Sequence, residues 1–250
     1  MGSLHDGHLS IIKQSISICK TTLVSIYINP AQFSPDEDFE AYPRSIDNDI
    51  SKLSALNVDA VFLPTDKIMY PDGFSTYISE KSIAKYHEGV SRPLFFQGVL
   101  TVVLKLFNIV RPSHAFFGEK DLQQLVLVKK MVVDLNISIQ IISCTTIREP
   151  WGLAMSSRNS YISLKDQREL GIIYMALLDA NDAIIGGIND VDIIKKRFSD
   201  MVLSISSTRI DYFEVCDINC MPIKFCLRPC MILAAVYFCN VRLIDSITVE

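Results

Sequence analysis

Apolar positions set the first reading of the chain. Leu9, Ile12 and Ile16 fall at helical spacing within residues 9–20, and the β-branched run 21–28 ends at Asn29-Pro30. A helix followed by a buried strand is predicted. Residues 30–44, rich in Pro and Asp, read as loop. Further on, the pattern predicts a helix over 47–56, a short strand over 60–63 closed by Pro64, and a turn at Pro71-Asp72-Gly73. A helix over 98–109, a strand over 114–117, a helix over 120–135 and a strand over 137–143 follow. Short strands apolar on both faces, alternating with helices, predict a parallel sheet with crossover helices, covered on both sides. The character changes near Ser163: residues 164–202 read as two helices split by Gly186-Gly187, and 210–247 as strands with turns near Asn219 and Pro229. The expected fold class is α/β, a unit over 1–160 followed by a smaller α+β unit over 161–250.

Composition narrows the class. A chain of 250 residues, 49% hydrophobic, is long enough to bury a core without disulfide or metal staples. With 24 basic and 28 acidic residues, no general nucleic-acid footprint is expected, and an anionic ligand must be caught by a local site. The longest apolar run, 230–239, is about half of what a membrane-spanning helix needs. His5, Asp6 and His8 interrupt any signal-peptide core. Seven cysteines, odd in number and sparse, point to a reducing, cytoplasmic setting. Cys216, Cys220, Cys226 and Cys230 have a zinc-like spacing, but apolar, strand-like residues separate them, so they are read as buried hydrophobes.

Four segments carry chemistry. His5-Asp6-Gly7-His8 opens a helix, whose free N–H groups and dipole favour an anion, with Gly7 leaving room for a phosphate. Imidazoles there can donate to phosphate oxygens as charge builds in a transition state. An ordinary pair of exposed histidines is the alternative. Met155-Ser156-Ser157-Arg158-Asn159, after Gly152-Leu153, suits a clamp on a triphosphate, although such a loop is commonly structural. Gly118-Glu119-Lys120-Asp121 follows a strand at the position where α/β sheets bind ligands. Lys120 suits a phosphate, Asp121 a ribose hydroxyl, and Gln124 faces the same space one turn later; an N-capping turn is the bland reading. Asn29 and Gln32 are neutral polar groups suited to a small hydroxylated substrate.

Taken in order, the stretches MGSLHDGHLSII, VSIYINPAQFSPDEDFEAYPRS, GVLTVVLKLFNIV, FFGEKDLQQL and TIREPWGLAMSSRNSYIS resemble the pantothenate synthetase (pantoate–β-alanine ligase) family of the H-x-G-H nucleotidyltransferase superfamily. The resemblance implies a Rossmann-like nucleotide- and pantoate-binding domain over 1–160 and a lid domain over 161–250, in a cytoplasmic homodimer. It implies ATP-dependent condensation of pantoate with β-alanine through a pantoyl adenylate. Met1, Gly2, Ser3, Leu4, His5, Asp6, Gly7 and His8 would line the ATP site, with His8 as the catalytic histidine and His5 beside it. Gly118, Glu119, Lys120, Asp121, Met155, Ser156, Ser157 and Arg158 would also hold ATP, and Ile147 would meet adenine through its backbone. Gln32 and Gln124 would bind pantoate, with Gln32 also near β-alanine and beside the Asn29 already read as a substrate contact. Mg²⁺ is implied as well, with Asp49 as a contact or, equally, as a solvated aspartate on a helix face.

The chain departs from the family pattern at four points. It begins inside the family's Pro-Thr-Met-Gly, so a first, central strand is expected to be missing and the histidines to lack that anchor. Trp151 stands where Asp or Asn usually precedes Gly-Leu, Gln97 replaces the arginine of Phe-Arg-Gly-Val, and Leu94-Phe95 stands where Gly-His is common. These departures raise the alternative of an N-terminally truncated, non-catalytic homologue of the same fold. Another H-x-G-H nucleotidyltransferase is a third reading, but Asn29 to Phe33 and Gly118 to Gln124 match the pantoate pocket.

Overall fold

The computed structural model describes residues 1–34 and 37–250. Helix α1 (Asp6–Ile18) runs to strand β1 (Leu23–Ser25), and α2 (Ile46–Ala55) runs to β2 (Ala60–Phe62). The two strands pair in parallel with Val24 opposite Val61. Single-turn helices α3 (Asp66–Met69) and α4 (Glu88–Ser91) precede α5 (Phe95–Val110). Strand β3 (His114–Gly118), helix α6 (Leu122–Asp134) and strand β4 (Gln140–Cys144) complete a second parallel pair, Phe116 opposite Ile142. The expected alternation of strand and helix is present. Helices α3 and α4 are additions to it, since four residues carry no periodic signal.

Helix α5 shows why these segments take their form. Phe96, Val99, Leu100, Val103 and Phe107 are buried at spacings that line one helical face. The helix stops at Arg111, which takes the left-handed conformation (φ 50°) ahead of Pro112. Strands β1 and β3, which are not bonded to one another, both line an apolar slot with Val24, Val103, Phe107, Ala115 and Phe117. Met1 sits at its end in strand-like register with β1: its amine donates to Ser25 O at 3.0 Å and its carbonyl accepts from Tyr27 N at 2.9 Å.

Beyond residue 163 come three helices rather than two: α7 (Leu164–Glu169), α8 (Ile172–Ile185) and α9 (Val191–Val202). Gly186-Gly187 separates α8 from α9 as expected, with Gly187 at φ 96°. Strands β5 (Thr208–Asp217), β6 (Cys230–Phe238) and β7 (Val241–Val249) form an antiparallel sheet in that order. The central strand β6 is buried on both faces. Ile232, Ala234 and Val236 pack into a core with Leu177, Ile194 and Phe198 of α8 and α9. Met231 and Leu233, on the other face, pack against the core built by α5 and α6. One strand with a two-residue period thus joins two cores. The cysteines divide the same way, Cys216 and Cys220 in the α5–α6 core, Cys226 and Cys230 in the α8–α9 core.

Candidate active site

The histidine loop is folded by its own backbone and held by α2. His8 N and Leu9 N donate to His5 O at 2.8 and 3.0 Å, which sets His5 as the residue capping α1. The two imidazoles lie against each other with centroids 4.0 Å apart, and His5 N donates to His8 Nδ1 at 3.4 Å. A Cβ on residue 7 would stand 2.9 Å from His5 Cε1, so Gly7 makes room for the His5 ring. Asp49 accepts from Ser3 N at 2.8 Å and Leu4 N at 2.7 Å, and Lys52 Nζ donates to Leu4 O. Asp49 is 1% exposed, which corrects the reading of it as a solvated aspartate, and each of its carboxylate oxygens holds one loop amide. Among the described residues, no group of three or more His, Cys, Asp or Glu is placed to hold a metal ion.

Burial, then the positive field of Lys120, lowers the His5 pKa to about 4, with Asp6 opposing. Burial and then His5, the Met1 ammonium, Lys120 and Lys52 hold His8 well below the usual histidine value. Both rings are therefore neutral near pH 7. Because His8 Nδ1 is an acceptor, its proton resides on Nε2, which is left as a donor.

Asn29, expected to touch substrate, is fully occupied within the protein. Its amide nitrogen donates to Gln32 Oε1 at 3.0 Å and to Gly98 O at 3.1 Å. Its oxygen accepts from Tyr70 OH at 2.7 Å and Ala31 N at 3.3 Å. Two protons and two lone pairs exhaust an amide, so Asn29 positions Gln32. With Gln32 Oε1 taken, the Gln32 amide nitrogen is the group left for a ligand. Gly98 permits this arrangement, since a Cβ there would meet Ala31 O at 2.1 Å.

The phosphate-type loops are braced from the C-terminal sheet. Ser246 Oγ on β7 lies 2.7 Å from Glu119 O and 3.0 Å from Lys120 O. Asp245 grips Arg148 through two bonds of 2.5 and 3.0 Å, and Arg148 in turn donates to Gly152 O and stacks 3.6 Å from the Tyr174 ring centroid. Met155 N donates to Ile147 O at 3.0 Å, closing the hairpin that carries both. Arg158 is paired with Asp38 at 2.7 and 2.9 Å, and Ser157 Oγ lies 2.6 Å from Tyr42 OH. Sequence reasoning misses Arg148, Asp38, Tyr42, Asp245 and Ser246. Asp245 and Ser246 alone leave a hint, as polar residues embedded in an otherwise apolar strand.

One continuous cavity of about 1530 Å³, which includes the apolar slot beside β1 and β3, gathers most of the expected residues. It is lined by Met1, Gly2, His5, Gly7 and His8, by Asn29 and Gln32, by Gly118, Lys120, Asp121 and Gln124, and by Ile147, Met155, Ser156, Ser157 and Arg158. Ser3, Leu4, Asp6 and Glu119 are not among its lining; Leu4 belongs to the core and Asp6 faces solvent. Gln97 and Trp151 stand apart from it too. Gln97 Nε2 donates to Ser79 Oγ at 2.8 Å, and the Trp151 ring packs on the α8–α9 core with Arg168 5.8 Å above it.

Comparison with known proteins gives one consistent result. Residues 1–248 match the family model described as pantoate-beta-alanine ligase. The pantothenate synthetase of Thermosipho africanus (strain TCF52B) is 44% identical over 250 residues, all of this chain and 90% of that protein. The crystal structure of pantothenate synthetase from Thermus thermophilus superposes with a TM-score of 0.95 at 35% identity, covering 100% of this chain and 91% of that one. A pantoate-beta-alanine ligase from Francisella tularensis, complexed with beta-gamma ATP and beta-alanine, has a TM-score of 0.82 at 36% identity, covering 99% and 87%.

Proposed function

The chain belongs to the pantoate–β-alanine ligase family, and on that footing we infer that it joins pantoate to β-alanine using ATP, releasing AMP and pyrophosphate. In the first step a carboxylate oxygen of pantoate attacks the α-phosphorus and the bond to pyrophosphate breaks. In the second, the neutral amine of β-alanine attacks the acyl carbon and loses a proton, and AMP departs with the bridging oxygen.

The observation that carries this reading is the placing of a neutral His8, with Nε2–H as donor, at the start of α1 in one cavity with Lys120 and the Gln32 amide. A helix N-terminus, a lysine and an imidazole donor suit charge developing on phosphate oxygens. His8 is the catalytic donor in this proposal, with His5 setting its orientation. Gly118, Lys120, Asp121, Ser156, Ser157 and Arg158 hold the nucleotide, Met155 and Ile147 flank its base, and Gln32 and Gln124 take pantoate. Substrates held in line react as one assembly, and that positioning is the larger part of the catalysis.

Mg²⁺ enters as the counter-ion of the nucleotide. Such an ion keeps most of its ligands as water and phosphate, while each Asp49 oxygen already holds a loop amide. The family resemblance supports a two-domain reading, residues 1–160 binding substrates and 161–250 closing over them, as a cytoplasmic homodimer. Among the described residues no helix is long and apolar enough to cross a membrane. AMP release from ATP and Mg²⁺ tests the function. It should require both pantoate and β-alanine for sustained turnover, and absence of AMP from a folded sample would refute it.

A further inference from the structure

A buried ion network links the C-terminal sheet to the Gln32 turn, and its centre is Glu88 on α4. The Glu88 side chain is 6% exposed and the two arginines that hold it are each 15% exposed. Arg242 of β7 donates to Glu88 Oε1 at 2.6 Å and Oε2 at 2.9 Å, and Tyr212 OH of β5 donates to Oε2 at 3.1 Å. Arg92 donates to Glu88 Oε1 at 3.1 Å. Its remaining nitrogens reach Glu37, through two bonds of 2.8 and 2.5 Å, and the backbone carbonyl of Gln32 at 2.8 Å. The guanidinium also rests 3.8 Å from the Phe95 ring centroid. Arg92 is therefore held on all its nitrogens and on one face, and Glu88 is the partner that sits deepest.

Buried ion pairs of this kind add little net stability, because desolvation offsets the attraction. Apolar residues would fill the same volume as well. What a fork of arginine nitrogens supplies is direction: the guanidinium plane fixes where the Gln32 carbonyl lies. Asn29 holds the same residue by its side chain. Backbone and side chain of Gln32 are thus gripped independently, one from β7 through Glu88 and Arg92, the other from within the turn.

We propose that Glu88 is a positioning residue for pantoate binding: by orienting Arg92 it holds the Gln32 carbonyl, and so the Gln32 amide, against the substrate. The assignment rests on the reading of Gln32 as a pantoate contact. Glu88 touches no reacting atom, so its loss should appear in pantoate affinity and not in the chemical step.

The test compares Glu88→Gln, Arg92→Lys, Gln32→Ala and the Glu88→Gln/Gln32→Ala double variant by steady-state kinetics in each substrate. Arg92→Lys retains the positive charge between the two carboxylates but lacks the fork, and it carries the test if Glu88→Gln fails to fold. Glu88→Gln and Arg92→Lys should each raise the pantoate KM about tenfold, the size of one weakened hydrogen bond to substrate, with ATP KM unchanged and kcat within about twofold. On the Gln32→Ala background, Glu88→Gln should add nothing. An unchanged pantoate KM in both variants, an equal change in ATP KM, or a full additional rise on the Gln32→Ala background overturns the Glu88 assignment alone. An unchanged pantoate KM in Gln32→Ala strikes down the pocket reading, and the Glu88 assignment with it.

Discussion

Asn29 Nδ2 donates to Gln32 Oε1 across 3.0 Å, and that single bond decides which end of the Gln32 amide is available to a ligand. The donor end is presented, which suits the carboxylate or hydroxyl oxygens of a hydroxy acid. Replacing Asn29 by Ala removes the bond and also leaves Tyr70 OH and Gly98 O without their partner. Loss of such buried partners costs about 1–3 kcal/mol. The variant should therefore melt earlier and show a raised pantoate KM, read by thermal melting and kinetics together. A variant that kept wild-type pantoate KM would show that the amide orientation is irrelevant.

His8→Ala should lose about 2.7–4 kcal/mol of transition-state stabilisation, the magnitude associated with one lost donor to a developing oxyanion. Rapid-quench measurement of adenylate formation reads this directly. Turnover within a factor of a few of wild type would remove His8 from its role.

Gly7→Ala places a methyl group 2.9 Å from the His5 ring. The ring must move, and since His5 packs against His8 the donor moves with it. The fold should survive, because the clash meets a side chain at a partly buried site, while kcat falls by about 10²-fold, as small misplacements of reacting groups do. Circular dichroism and kcat on one sample separate the two effects.

The depressed histidine pKa values have a definite pH signature. An unfolded histidine takes up a proton near 6.5, whereas folded His5 refuses it until about 4. Stability from this source is complete above pH 6.5 and is lost as pH falls from 6.5 towards 4, because the unfolded state binds the proton first. His8 acts in the same direction. Urea unfolding of wild type and His5→Gln at several pH values should show the steeper loss in wild type across that window. Parallel curves would contradict the burial of a neutral His5.

Arg158 is paired with Asp38 through two hydrogen bonds. A triphosphate taking that guanidinium competes with a partly exposed ion pair of about 0.2–1 kcal/mol. Asp38→Asn should therefore lower the ATP KM by about threefold with little change in melting temperature, measured at fixed pantoate.

Much of this is legible in the sequence, and the parts that are not share a cause. Periodicity locates α5 and the helices around Gly186-Gly187 because each buries one face along a continuous stretch. The histidine loop and the Gln32 segment are legible because their chemistry is local. Partners distant along the chain are not: Arg148 and Asp245 lie 97 residues apart, and Leu4 and Asp49 lie 45 apart. The burial of Asp49 is hidden for that reason, since an acidic residue on a helix gives no sign that two loop amides will fold over it. Asn29 is the subtler case, placed at the cavity as expected but with its hydrogen-bonding capacity used up by neighbours that sequence does not reveal. Trp151 and Gln97 stand out in sequence as departures from the family pattern, and their side chains turn to the α8–α9 core and to Ser79.

Passage through pantoyl adenylate moves one carboxylate oxygen of pantoate onto AMP. Pantoate labelled with ¹⁸O in its carboxylate, incubated with the protein, ATP, Mg²⁺ and β-alanine, traces the bridging oxygen. AMP recovered with one labelled oxygen per molecule, and pantothenate retaining the other in its amide, is the expected result. Unlabelled AMP, or ADP in place of AMP, would contradict it.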